Sequence, residues 1–188
     1  LTRVRSDGLS NKMAMDFPVN GRFSPLGSSL LSLARLSRAI VESIEAEFRR
    51  YKALGEGAMN QLTDAQLVER ASAESNSIAM LAWHMAGNFK SRFTDFLDTD
   101  GEKPWRDREG EFAVRDAGRD ELIGTWNEGW DAVLTTVGSL TDAHLENSIT
   151  IRGVSLSVAH ALHRSLAHAS YHVGQMVYIG KIMRGASW

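Results

Sequence analysis

Histidine is the residue type here whose spacing points to chemistry. Four of the six histidines fall between His160 and His172, with His84 and His144 elsewhere. A histidine-rich tract of this kind is a compositional sign of metal binding. His168 and His172 are four residues apart, so on a helix they stand one turn apart on the same face. Two imidazoles so placed can converge on one cation at roughly 2.0–2.1 Å from each nitrogen. At about 100° per residue, His163 points about 140° away from His168 and His160 about 80° away. Both fit a structural or solvated role better than a ligand role. A pair alone is more often surface decoration or core packing than a metal site, so a third ligand must come from another helix.

His84 is the only histidine in the middle of a second long helical pattern. Asn88 lies one turn beyond it and Arg92 two turns, with Ser77, Ser91 and Asp95 near the same line. That stripe reads either as a solvated face or as one wall of a site. Met80, Leu81 and Trp83 flank it, which suits the second reading. His84, His168 and His172 are all displaced from the apolar stripes of their helices, so the expected site lies at the rim of the fold, half open to solvent. Gln175 lies near the His168/His172 face and is placed to orient a ligand. Arg92 can hold an anionic substrate group by a bidentate contact, or simply pair with Asp95 or Asp98. Glu102 and Lys103 either cap the pocket or solvate their loop.

These residues need helices to hold them, and the chain has the pattern for four. Its 188 residues predict one domain. The 3 prolines are Pro18, Pro25 and Pro104, which leaves two long runs free of this helix breaker. In the first run Leu33, Leu36, Ile40, Ile44, Phe48 and Tyr51 recur at helical steps until Gly55 and Gly57. A second stripe, within about 75–97, is Ile78, Ala82, Met85, Phe89, Phe93 and Phe96. A third is Leu122, Trp126, Trp130, Val133, Val137 and Leu140. The fourth runs from Val158 through Leu162, Leu166, Ala169, Val173 and Met176 to Val177. The predicted class is all-α, a four-helix bundle with short connecting helices and irregular linkers, spanning 28–188. Residues 1–27 read as an irregular or disordered lead-in.

Leu62-Thr63-Asp64-Ala65-Gln66-Leu67 recurs as Leu140-Thr141-Asp142-Ala143-His144-Leu145. Both read as helix entries with Thr at the N-cap, and only the first has the Thr-x-x-Gln spacing of a capping box. The echo is either a common helix start or the trace of two helix–short helix–helix halves. Asp98 to Phe112 is a charged linker, and Ser148 to Leu156 reads as a short hairpin around Arg152-Gly153.

Composition narrows the function. With Cys 0, disulfides, iron–sulfur clusters and a cysteine nucleophile of the chain's own are excluded. The net charge of −2 offers no electrostatic footprint for nucleic acid or an anionic membrane. No apolar run approaches the ~18 residues a membrane helix needs, and no secretion-signal pattern opens the chain. A cytoplasmic location is expected.

The chain also resembles the DinB/YfiT-like superfamily of metal-binding four-helix proteins, and in particular a bacterial subfamily of unknown function. The resemblance rests on Phe48-Arg49-Arg50-Tyr51-Lys52, Glu74-Ser75-Asn76-Ser77-Ile78-Ala79, His84-x-x-Gly87-Asn88, and Ser91-Arg92-Phe93-Thr94-Asp95-Phe96-Leu97. It continues through Asp100-Gly101-Glu102-Lys103, Ile151-Arg152-Gly153 and Leu166-Ala167-His168-x-x-Tyr171-His172-Val173-Gly174-Gln175. Ala169-Ser170 replaces a bulkier pair common in relatives. The resemblance implies a divalent metal, zinc or nickel, held by His84, His168 and His172. It also implies a homodimer, and kinship with S-transferases and isomerases that use low-molecular-weight thiols. Glu74, Asn76 and Ser77 belong to the resemblance without a role derivable from sequence.

Three neutral imidazoles leave a fourth position open, the arrangement of catalytic zinc. A thiol of pKa about 8.5 coordinated there would be deprotonated and could attack an electrophile. The expected function is therefore a thiol-dependent transferase acting on a small-molecule substrate. Metal-dependent hydrolysis by a coordinated water is the alternative, and a non-catalytic metal-binding helical stress-response module is a third.

Overall fold

The computed structural model describes residues 37–115 and 118–188. The expected lead-in over 1–27 and the first stripe positions Leu33 and Leu36 lie outside the described residues. Within them the chain folds into four long helices joined by short ones and one hairpin. These are α1 (Ala39–Asn60), α2 (Asp64–Val68), α3 (Ile78–Phe93), α4 (Arg119–Ser139) and α5 (Val158–Arg184). Strands β1 (Ser148–Ile151) and β2 (Val154–Ser157) pair antiparallel, with Ile151 opposite Val154. Arg152 and Gly153 both take positive φ, 56° and 73°, as a two-residue hairpin turn requires. The expected bundle and hairpin are both present.

The core is aromatic at its centre. Phe48 of α1, Phe89 and Phe93 of α3 and Trp130 of α4 are buried and meet edge to face, with centroids 4.9–6.4 Å apart. Helix α1 runs past Gly55 and Gly57 to Asn60, so these glycines do not end it. Gly55 instead gives Trp126 room: a Cβ there would lie 2.6 Å from its ring. Likewise Gly129 of α4 faces the backbone of Ala86, where a Cβ would come within 2.5 Å of Cα. This close approach binds α4 to α3. Ile40, expected in the α1 stripe, is exposed, and its neighbour Val41 takes the buried place.

The Leu-Thr-Asp echo has a structural counterpart. Arg38, at the N-terminus of α1, donates to the carbonyls of Val137 and Leu140 at the end of α4. Arg119, the first residue of α4, donates to the carbonyls of Met59 and Leu62 at the end of α1. The acceptors are the equivalent positions of the two echoes. Each arginine thus adds a charged donor to carbonyls at the C-terminal end of the other half's helix, where the helix dipole favours a cation. The two halves cap each other reciprocally, which favours the duplication reading.

The second echo is a 3-10 turn, Asp142–Glu146, rather than an α-helix. It nevertheless closes a capping interaction, because His144 Nδ1 accepts the Thr141 N–H at 2.9 Å, so a histidine serves where Gln66 does in the first. Asp142 reaches further. Its carboxylate accepts the N–H groups of Ile40 and Val41 and so caps α1 from the far end of the sequence. No described helix is long and apolar enough to cross a membrane.

Candidate metal centre

Ser77 positions the first ligand candidate. Its hydroxyl accepts the Met80 N–H and starts α3 one residue later, which places His84 in the second turn. Ser157 does the same for α5 by accepting from His160, and the unbroken helix that follows carries His168 and His172. The two helices pack so that the three rings face one another, with centroids 4.5–5.1 Å apart. One ring nitrogen of each lies within 4.8 Å of the others, a grouping that could hold a metal ion.

The donor geometry fits an ion. His84 Nε2 and His168 Nε2 face each other at 3.1 Å. Two nitrogens bound at roughly 2.0–2.1 Å to one tetrahedral ion stand about 3.3 Å apart. The tautomers agree as well. His84 Nδ1 donates to Glu111 Oε2 at 2.9 Å and His172 Nδ1 donates to Gln175 Oε1 at 2.8 Å. Each outer contact leaves the Nε2 lone pair free, as in the second shell of metal-bound histidines. Nδ1 of His168 is buried without a hydrogen-bond partner.

Burial and neighbouring charge keep His168 and His172 neutral. Burial first, then the neighbouring His172 and His84 and the guanidinium groups of Arg106 and Arg92, push His168 down to about 3. His172 is lowered mainly by burial, with Gln175 pulling the other way. Neutral imidazole is the form that ligates a metal. Glu111 stays ionised: burial works against its charge, but hydrogen bonds from Arg106 and His84 hold it below the usual carboxylate range. Arg106 grips it with two contacts of 2.7 and 2.9 Å.

His84 is 5% exposed, so the site is deeper than the half-open rim that the helical wheel predicts. The loop after α3 is the reason. It folds back over the helix, setting Glu111 on His84 and stacking the Phe112 ring 4.6 Å from the imidazole. The sequence reading missed Glu111, Arg106 and Phe112. A signal for them existed in Gly87, one turn after His84. A Cβ at Gly87 would collide with the Glu111 carboxylate, so glycine there makes the space through which the acid reaches the histidine.

The other expected residues are distributed around the trio. Gln175 contacts His172 as anticipated. Asn88 lines a cavity of about 100 Å³ with Arg92, Arg164, Ser165 and His168. Arg92 pairs with neither Asp95 nor Asp98. It donates to Glu102 Oε2 at 2.9 Å and to the Gly101 carbonyl. Glu102 therefore braces Arg92, sharing its carboxylate with Arg152 at 2.7 Å, and Lys103 is spent inside its own loop on Thr99 and the Asp100 carbonyl. Covering the site falls to Glu111 and Phe112. His160 and His163 are exposed, as expected. On the other flank, Glu74, Ser75 and Asn76 line a cavity of about 290 Å³ with Gln175 and Tyr178.

A helical bundle whose second and fourth long helices carry a partly buried three-histidine cluster defines the structural class. Residues 35–188 match a family described as a protein of unknown function (DUF1572), and the chain belongs to that family. Among solved structures it is similar to a conserved protein from Enterococcus faecalis, at TM-score 0.61 and 16% identity. The match covers 78% of this chain and 98% of that one, a likeness of fold alone. No curated protein sequence matches the chain.

Proposed function

We propose that the protein is a DinB/YfiT-like metalloenzyme that holds one divalent ion, zinc or nickel, through His84, His168 and His172. In the same reading it is an S-transferase that joins a low-molecular-weight thiol to a small electrophilic substrate. The observation that carries this is the convergence of three imidazoles, two of which have an outer acceptor fixing the proton on Nδ1. An ion bound there would supply Lewis acidity, lowering the pKa of a thiol from about 8.5 into the neutral range.

The chain's own residues do the rest. Glu111, locked by Arg106, orients His84 and offsets positive charge at the centre. Gln175 orients His172. Asn88 presents an amide at the cavity beside His168, where a substrate polar group can be held. Burial of His84 beneath Phe112 limits water on one side, and the cavity lined by His168 leaves access on another. Zinc and nickel both suit imidazole donors. A homodimer belongs to the same proposal and is checked by light scattering.

The test begins with elemental analysis of protein purified without a histidine tag. One divalent ion per chain is expected, lost in His84→Ala, His168→Ala and His172→Ala while helical circular dichroism is kept. A panel of small thiols and electrophiles then follows turnover. Metal-dependent consumption of thiol supports the transferase, and turnover with no thiol added transfers the reading to hydrolysis. A histidine variant that keeps its ion removes that residue from the centre.

A further inference from the structure

The cavity beside His168 is lined by two arginines and no acid. Arg92 and Asn88 approach it from α3, Arg164, Ser165 and His168 from α5, and Ile151 closes it from the hairpin. Arg92 is half-buried, and its guanidinium is held from behind by Glu102 and the Gly101 carbonyl, so it is oriented before any ligand arrives. That Glu102 carboxylate is divided between Arg92 and Arg152 and cannot neutralise both, while Arg106 is paired with Glu111. Asp100, the next acid in the loop, is spent on the backbone N–H groups of Glu102, Arg152 and Gly153. Arg164 has no ion pair or hydrogen bond among the described residues, yet it borders this cavity one turn before His168.

From this we infer that the cavity is an oxyanion subsite, in which Arg164 and Arg92 bind the carboxylate or phosphate group of the substrate and set its remaining atoms against the histidine trio. Guanidinium groups match planar carboxylates and phosphates through paired N–H donors. A cavity of about 100 Å³ has room for one such group and little more. Asn88 and Ser165 supply further neutral donors at its wall. The inference deepens the proposed function and rests on it only for the role of the anion, because the subsite consists of side chains outside the three histidines except for the shared wall at His168.

The experiment titrates isotope-labelled full-length protein, metal-free and zinc-loaded, with acetate and separately with inorganic phosphate at constant ionic strength. Backbone amide shifts are followed by NMR. Saturable shifts confined to residues near Asn88, Arg92 and Arg164–His168 are expected in the metal-free protein. Arg164→Gln, an exposed change with no described partner to lose, is expected to weaken that binding at least five-fold while zinc stoichiometry stays at wild type. Whichever anion binds tighter identifies the substrate group as carboxylate or phosphate. Absence of saturation in the metal-free protein, or equal affinity in Arg164→Gln, overturns the subsite. Anion binding that persists in a protein unable to hold zinc preserves the subsite and overturns the metal reading alone.

Discussion

The carboxylate of Glu111 meets the imidazole of His84 at 2.9 Å, across 27 residues of sequence and inside the bundle. The acid is 7% exposed and its other partner, Arg106, has a side chain only 2% exposed. The pair therefore carries two duties. It fixes the histidine tautomer, and it keeps a buried guanidinium from standing alone.

Glu111→Gln separates these duties. An uncompensated buried charge costs about 3–5 kcal/mol, so urea denaturation of the metal-free protein is expected to show a loss approaching that range. Pairing the change with Arg106→Met is expected to recover much of it. Zinc affinity, read by competition with a chromophoric chelator, is expected to fall about 10–100-fold in both variants. Recovery of affinity along with stability in the double variant would contradict the orienting role.

Gly87→Ala tests the same contact from the other side. The added methyl occupies the place of the Glu111 carboxylate and displaces it from His84. Zinc affinity is expected to fall by about the factor seen for Glu111→Gln, although no ligand or acid is altered. Unchanged affinity would mean that the loop can retreat without consequence for the histidine.

Two further glycines predict opposite outcomes. Gly129→Ala forces a methyl into the backbone of Ala86 and is expected to cost about 1–3 kcal/mol in denaturant unfolding. Gly138→Ala, on the same helix with open space around it, is expected to stabilise by about 0.5–1 kcal/mol through helix propensity.

Asp142 gives stability a dependence on pH. Partial burial opposes its charge, but the N–H groups of Val41, Ile40 and Ala39 and the Ser37 hydroxyl hold its carboxyl below the usual carboxylate range. Its folded pKa is depressed, so its contribution is fully present above the unfolded value and is lost as pH falls through the folded one. Thermal midpoints measured from pH 6 to pH 2 are expected to fall less steeply below pH 4 in Asp142→Asn than in the parent. Parallel curves would show that the α1 cap carries no charge-dependent stability.

Arg38 and Arg119 are expected to behave alike. Each occupies the terminal carbonyls of the other half's helix, and Arg38→Ala and Arg119→Ala are each expected to cost about 1 kcal/mol. The sites are remote from one another, so the double variant is expected to show the sum. Strong non-additivity would mean that the two ends are one cooperative unit.

Much of this molecule was legible from residue order. Stripes at helical spacing placed the four long helices, because burial of one face repeats every three to four residues. The Arg152-Gly153 turn announced the hairpin, because its backbone needs positive φ at both positions. His168 and His172 were a local pair by helical pitch alone, and Gln175 followed from the same pitch. What lay between elements could not be read this way. Whether His84 faces water or the core depended on the loop after α3, and helical periodicity says nothing of a loop's path. Arg92 found Glu102 rather than its nearer acids for the same reason, and Glu111 reached His84 because the loop turned back over Gly87. Periodicity within one element is written in the chain, whereas the meeting of side chains from different elements is decided by how the packed helices and their connections close around each other.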